Sequence, residues 1–444
     1  MSTYQPEPEH VDDVDNRATL TLDFNTAFQL MLNVDFKDIF NLCLTSKLYN
    51  HVGRNDMFWK TRYGQDYRND APINLDPITW KQTYRSRYQS KLYIFGDGHM
   101  GQLGIGNTRR CDFPTEIRGL TNIIQVSCGG PQPGRRRHQR RGDRGKHTGV
   151  VTGDGKLYMF GSNLMGELGV GETDRRSINV PTHVKSLADS HVIQVSCGDS
   201  HTGAVTSDGQ LYMFGTNGLG QLGTGRRGIN HLPVKIKSFT GDSHVIQVSC
   251  GDNHTGVVTR DGKLYMFGYN FSGQLGTGTT SRSDVPTEIV TLTNVTHVDC
   301  GADHTGVITR GGRLYMFGEN GDGQLGNGTF NNSTVPVEVP SLTNVTRVSC
   351  GDRHTEVVTS TGKLYMFGNL SMVGDNSTYS DPLEINLDDD VVSVSCTDTH
   401  GGTIDRNGYV NMYGLDFLCK SYNLYRAVMI SCGSSYTAVI GYMF

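Results

Sequence analysis

Histidines return at regular intervals in this chain. His147, His201, His254, His304 and His354 each open a His-Thr-Gly or His-Thr-Glu triplet, beside or near an acidic residue. Imidazole near carboxylate is the raw material of general acid–base catalysis and of metal binding. A catalytic constellation, however, needs different groups converging on one point, whereas these recur once per repeat. The pattern therefore predicts structural histidines, each satisfying a turn of its own repeat, with no metal ligated. Gly101-Gln-Leu-Gly104, Gly166-Glu-Leu-Gly169, Gly220-Gln-Leu-Gly223, Gly273-Gln-Leu-Gly276 and Gly323-Gln-Leu-Gly326 have the glycine content of phosphate loops. None is followed by Lys-Ser or Lys-Thr and a helix, so they read as turns. No nucleophile stands with a base. The expectation is a chain that is not an enzyme, with no catalytic residue and no cofactor.

The elements that carry these residues form a repeat. Gly251-Asp-Asn-His-Thr-Gly-Val-Val-Thr-Arg-Asp-Gly-Lys-Leu-Tyr-Met-Phe-Gly268 recurs down most of the chain. Its Val-Ser-Cys lead comes back at Val126, Val195, Val298, Val348, Val394 and Ile430, and its Leu-Tyr-Met-Phe-Gly end at Leu92, Leu157, Leu211, Leu314, Leu364 and, degraded, Val410. A period of roughly fifty residues points to a propeller, solenoid or array. Asp261-Gly262 between runs of β-branched and aromatic residues is a hairpin signal, so Gly256 to Thr259 and Lys263 to Phe267 should pair. Leu264 to Phe267 are apolar on both alternating faces, which suits a strand sandwiched between neighbouring sheets. A third strand near Val248 to Cys250 and a fourth near Val285 to Val290 complete a propeller blade. The repeat opens on a second half-unit and closes on a first half-unit. Residues 91–117 should therefore pair with 428–441 in one shared blade, closing a ring of seven and removing open edges. The cysteine count fits this arrangement. Of the ten, Cys128, Cys197, Cys250, Cys300, Cys350, Cys396 and Cys432 share one repeat position and cannot all pair, while Cys43, Cys111 and Cys419 lack metal-ligand spacing. The seven should act as small buried apolar residues, and a reducing cytoplasmic or nuclear location follows.

The signatures Cys-Gly-Asp-x-His-Thr, Asp-Gly-x-Leu-Tyr-x-Phe-Gly and Gly-Gln-Leu-Gly-x-Gly resemble the propeller repeats of the regulator of chromosome condensation family, over residues 91–444. The last signature fails twice, after Gly368 and after Gly414, so the final two blades are the degenerate ones. Residues 1–18 are acidic and proline-bearing and read as a disordered leader. They lack a basic end and an apolar core, and no apolar run reaches membrane-spanning length, so neither export nor membrane insertion is expected. In residues 19–90, Ala27, Leu30, Met31 and Val34 fall at helical spacing, a second helix should start near Asp35 or Lys37 and present Ile39, Leu42 and Cys43, and further helices are predicted at Met57 to Tyr63 and Ile78 to Tyr84. The run Val34 to Tyr49, followed by Phe58-Trp59, resembles an F-box, with Leu22-Asp23 where that family opens on Leu-Pro. The fold expected is mainly β: a seven-bladed β-propeller preceded by a small α-helical F-box-like domain.

The F-box resemblance implies docking to a Skp-type adaptor and a cullin scaffold through Leu22, Leu30, Met31, Val34, Ile39 and Leu42. It makes the chain a substrate-recruiting adaptor of a ubiquitin ligase whose propeller binds an unknown protein substrate. The propeller resemblance implies two alternatives: a guanine-nucleotide exchange factor for a small GTPase, or a chromatin-binding protein. A non-catalytic scaffold is the third reading. The net charge of −4 does not advertise nucleic-acid or membrane binding. One asymmetry stands out: Arg109, Arg110, Arg175, Arg176, Arg226, Arg227 and Arg282 occupy the loops after four successive Gly-Gln-Leu-Gly turns, then Asn331-Asn332 takes their place. They are candidate partner-binding residues in a basic crescent, against the alternative of solvated loop charge. The stretch Pro131 to Lys146 interrupts the first full repeat with a basic run. It reads either as a nuclear import or nucleic-acid contact, or as an out-of-frame copy of a neighbouring repeat. The peptide Thr202 to Gly209, encoded in GC-rich codons and read from the third base, gives the Arg-Arg-Arg-His-Gln-Arg-Arg of Arg135 to Arg141.

Overall fold

The computed structural model describes residues 24–32, 58, 61, 90–130, 146–174, 176–239, 243–375, 377–387, 389–397, 399–414, 417–422 and 426–442. The chain divides into two units, Met1–Tyr88 and Gln89–Phe444. In the first, Phe24–Leu32 is helical. Ala27 and Met31, one helical turn apart, are buried, and Phe28 meets the buried Phe58 edge to face at 5.4 Å. Leu30 stays 47% exposed. Leu22, Val34, Ile39, Leu42 and both tryptophans lie outside the described residues, as do the other helices expected there apart from Phe58 and Thr61, which are helical.

The second unit is built from the Asp-Gly hairpin. Gly262 takes φ 77°, which L side chains rarely adopt, and the chain reverses so that Val258 pairs with Leu264. The hairpin strands are His254–Thr259 and Leu264–Gly268; Val245–Cys250 flanks the first and Ser283–Glu288 the second. The same four-stranded antiparallel order occurs seven times among the described residues, which makes a seven-bladed β-propeller. Blades 2 to 7 start at Ile123, Val192, Val245, Val295, Val345 and Val391. Blade 1 is assembled from both ends: Ala427–Gly433 pairs with Tyr436–Tyr442, which pairs with Ser90–Gly96, which pairs with Cys111–Glu116.

We call the strands of each blade a to d from the axis outward. Strands a of adjacent blades touch one another around the centre, and strands d form the rim. The core lies between blades. Phe267 of blade 4, fully buried, packs against Leu211, Met213 and Leu222 of blade 3, and burying such a ring contributes roughly 2–3 kcal/mol. This is why strand c is apolar on both faces. The rim is the exposed edge, and there Phe113, Val180, Leu232, Val285 and Val335 stand in the solvent. Each is followed by a proline, Pro114, Pro181, Pro233, Pro286 and Pro336, whose missing N–H denies a ladder bond to an incoming strand. Among the described residues no helix is long and apolar enough to cross a membrane.

Candidate functional site

Antiparallel strands alternate direction, so the a–b and c–d connections emerge on one face of the ring and the b–c hairpins on the other. The repeated Ser, Cys and His residues all sit at the end of strand a or the start of strand b, under the first face.

Serine and cysteine make the innermost ring. The Cys197 N–H donates to Ser127 Oγ of the preceding blade at 2.9 Å. The same bond joins Cys250 to Ser196, Cys300 to Ser249, Cys396 to Ser349, Cys432 to Ser395 and, across the closure, Cys128 to Ser431. In the remaining blade Asp299 replaces serine, and its Oδ2 accepts from the Cys350 N–H at 2.6 Å. All seven cysteines are buried and free, and burial drives their thiols up, Cys128 and Cys250 to about 12. Thiols raised in this way stay protonated at neutral pH unless a cation displaces the proton.

Histidine makes the second ring, and here the structure corrects the expectation that each repeat satisfies its own turn. Nε2 of His147, His201, His254 and His304 reaches 2.8–2.9 Å from Oγ1 of Thr202, Thr255, Thr305 and Thr355, each in the next blade. Each threonine spends its own proton on the carbonyl of the second residue of the preceding blade's Gly-Gln-Leu-Gly or Gly-Glu-Leu-Gly turn, Thr255 on Gln221 at 2.8 Å. The imidazoles must therefore carry hydrogen on Nε2 and donate it. Burial, above all, lowers His201, His254 and His304 to about 3, which keeps them neutral. Two members of this ring escaped the sequence reading. His400 bonds Thr437 at 3.0 Å, and Tyr436 stands in the histidine position of blade 1, meeting Thr148 at 3.2 Å. Both were legible from the repeat phase, as Thr399-His400-Gly401 and Ser435-Tyr436-Thr437.

The ring encloses a polar central cavity of about 140 Å³, lined by serine, cysteine and glycine and by Asp199, Asp252 and Asp299. Burial raises Asp199 and Asp299 to about 6. Among the described residues the lining holds no lysine or arginine.

Arginine stands outside this ring, in the c–d loops of the same face. In blades 2 to 5 the loop is pinned by a buried asparagine, where blade 1 has Gly98: Asn217 Nδ2 donates to the Arg226 carbonyl while its Oδ1 accepts from the Leu222 N–H at 2.8 Å. Asn163, Asn270 and Asn320 do the same in their blades. Arg109, Arg110, Arg176, Arg226, Arg227 and Arg282 are exposed in blades 1 to 4, and Arg175 lies outside the described residues. Acidic neighbours meet part of this charge. Arg110 pairs with Asp112 at 2.8 Å, Arg227 with Asp284 at 3.0 Å, and Arg282 lies 4.0 Å from Asp284. Residues 131–145 lie outside the described residues. The chain leaves and re-enters this face at Gly130 and at Lys146, which pairs with Asp97 of blade 1 at 3.0 Å.

A closed ring of repeats, with blade-to-blade bonds at its centre and variable loops on one face, defines a repeat propeller. Residues 91–420 match the family model described as the RCC1-like domain, and the chain belongs to that family. It is 34% identical over 201 residues to mouse "Probable E3 ubiquitin-protein ligase HERC4", covering 44% of this chain and 17% of that protein. It is 40% identical over 144 residues to human "X-linked retinitis pigmentosa GTPase regulator", covering 32% of this chain and 14% of that protein. The matches thus span about a sixth of the length of these relatives. Among solved structures, Prp20p from Saccharomyces cerevisiae aligns with a TM-score of 0.68 at 19% identity, covering 82% of this chain and 94% of that one, and shares the fold.

Proposed function

We propose that this chain is a substrate-recruiting adaptor of the F-box type, in which residues 19–90 engage a Skp-type adaptor and a cullin scaffold and the propeller presents a protein substrate. The observation that carries the binding role is how the repeated polar groups are used. Serines, histidines and threonines are consumed in blade-to-blade bonds, so the chemistry left for a partner is that of the exposed loops, with Arg109, Arg176 and Arg226 on three successive blades. Relatives named as E3 ubiquitin-protein ligases support placing the propeller in that pathway. Leu30, apolar and 47% exposed on its helix, supports the docking half of the reading.

The test is co-purification from cell extract. Wild-type chain should retain a Skp-type adaptor and a cullin. Leu30→Asp should lose both while keeping its melting temperature, because that side chain already faces solvent. Arg109→Ser/Arg176→Ser/Arg226→Ser should keep the adaptor but lose substrate in a salt-sensitive way. A chain that retains neither adaptor nor cullin, yet accelerates nucleotide release from a small GTPase, would replace this reading with the exchange-factor one. The relative named a GTPase regulator motivates that alternative.

A further inference from the structure

The histidine ring has one gap, between blades 6 and 7. His354 of blade 6 faces a blade whose threonine is replaced by Gly401, so its Nε2 has no hydrogen-bond partner. Two further departures from the repeat meet at the same seam. Glu356 stands where other blades have Gly149, Gly203, Gly256, Gly306, Gly402 or Ala438, and Tyr413 stands where they have phenylalanine. The three changes fit together sterically. A side chain at Gly401 would collide with the Tyr413 ring at 2.6 Å, and the Tyr413 hydroxyl uses the space to donate to Glu356 Oε2 at 2.7 Å. Glu356 Oε1 is left without a hydrogen bond, fully buried, 3.6 Å from His354 Nε2. Cys396 of blade 7 completes the group: its Sγ, one imidazole nitrogen of His354 and one carboxylate oxygen of Glu356 lie within 4.8 Å of one another.

An unpartnered imidazole nitrogen and an unpartnered carboxylate oxygen, 2% and 0% exposed, are costly in an interior unless something binds between them. Nitrogen, oxygen and sulfur donors together select a borderline-soft divalent ion over calcium or magnesium. The spacing agrees. Two ligands at zinc-type bond lengths of about 2.1 Å and tetrahedral angles stand about 3.4 Å apart, against 3.6 Å between Nε2 and Oε1. Cys396 also lines the central cavity, which gives an ion a polar route to the site. The Cys396 thiol, raised by burial and then by the Glu356 charge, would release its proton on binding.

We propose that His354 Nε2, Glu356 Oε1 and Cys396 Sγ form a zinc-type divalent-cation site that clamps blade 6 to blade 7. The clamp would stand where two of the repeated blade-to-blade contacts are missing. The Gly-Gln-Leu-Gly turn that joins earlier blades is absent after Gly368, where a single short helical turn, Ser371–Val373, buries Met372 instead. With that turn and the threonine both missing, the seam lacks the His–Thr–carbonyl relay of the four seams from blade 2 to blade 6.

The experiment uses the full chain, stripped with chelator and titrated with Co²⁺ alone, then with Zn²⁺. One equivalent of Co²⁺ should give a thiolate-to-cobalt charge-transfer band that Zn²⁺ abolishes, and Zn²⁺ should raise the melting temperature. Cys396→Ser should lose the band and Glu356→Gln should weaken binding by at least about tenfold, whereas Cys300→Ser, at the equivalent position of blade 5, should retain it. The triple variant Glu356→Gly/Gly401→Thr/Tyr413→Phe restores the repeat pattern, so it should fold and bind no cobalt at this site. Absence of the band in the wild type would overturn the proposal. So would an undiminished band in both Cys396→Ser and the triple variant, which would assign the metal to other ligands.

Discussion

The buried threonines Thr202, Thr255, Thr305 and Thr355 of the second ring each handle two blade-to-blade bonds through one hydroxyl. Thr255 accepts from His201 at 2.9 Å and donates to the Gln221 carbonyl at 2.8 Å. Thr255→Val keeps the shape and leaves two buried polar groups unsatisfied, which should cost about 2–4 kcal/mol in urea unfolding. A loss within error of zero would mean that water replaces the hydroxyl. The histidines also set a pH dependence. Burial lowers His201, His254 and His304 to about 3 and His297 to about 4, all below the ordinary 6.5, so the unfolded chain binds these protons first. Their contribution to stability is complete above about pH 6.5 and is lost as pH falls. Asp199 and Asp299, raised from 3.8 to about 6, act in the opposite sense over that interval, since the folded chain holds their protons longer. The histidines outnumber the carboxylates, and stability should fall by about 3 kcal/mol per pH unit between roughly pH 6 and 4. Denaturant midpoints measured across this range check both sign and slope.

The c–d loop is the element that presents any partner-binding charge, and in blades 2 to 5 it is held by its own buried asparagine and glycines. Gly223 has φ 67°, and a Cβ there would meet the Phe267 ring of the next blade at 2.9 Å, so the turn fits the neighbouring blade as a glycine position. Asn217 ties both ends of the loop, through the Leu222 N–H and the Arg226 carbonyl. Asn217→Ala should cost about 1–3 kcal/mol and speed amide exchange in residues 222–228 ahead of the rest of blade 3. Exchange that rose equally throughout the blade would show that the asparagine supports the whole sheet rather than this loop. The asparagine and glycine positions were legible from the repeats. The pairing of Arg227 with Asp284 was not, because Asp284 belongs to the outer strand of blade 4 while Arg227 comes from blade 3.

At the scale of the molecule, the ring is held at one place by strands from opposite ends of the chain. Ile94 pairs with Ala438 and Leu92 with Ile440, and the Cys128 N–H donates to Ser431 across the next seam. Deleting Met429 to Phe444 removes strand b of blade 1 and most of strand a, and with them Tyr436 and its bonds to blade 2. The truncated chain should expose the edge of Ser90–Gly96, lose cooperative melting and associate through that edge. A monomeric product with an unchanged single transition would show that the other blades close without the terminal strands.

The sequence by itself determined the blade, the count of seven, the shared first blade and the turns, because each depends on local chemistry repeated in register: Asp-Gly for the hairpin, alternating apolar residues for a strand buried on both faces, glycine where φ is positive. It also raised the expectation that the cysteines and histidines are structural, since each recurs once per repeat. What it could not assign were partners across seams. The bond from His201 to Thr255 joins residues 54 apart, and the meeting of His354, Glu356, Cys396 and Tyr413 depends on how two sheets face each other. Read along the chain, Gly401, Glu356 and Tyr413 are three separate blemishes in two degenerate repeats. Only the stacking of blade 6 on blade 7 makes them one buried cluster, because packing between sheets, unlike hairpin formation, is decided by side chains that the chain order does not place together.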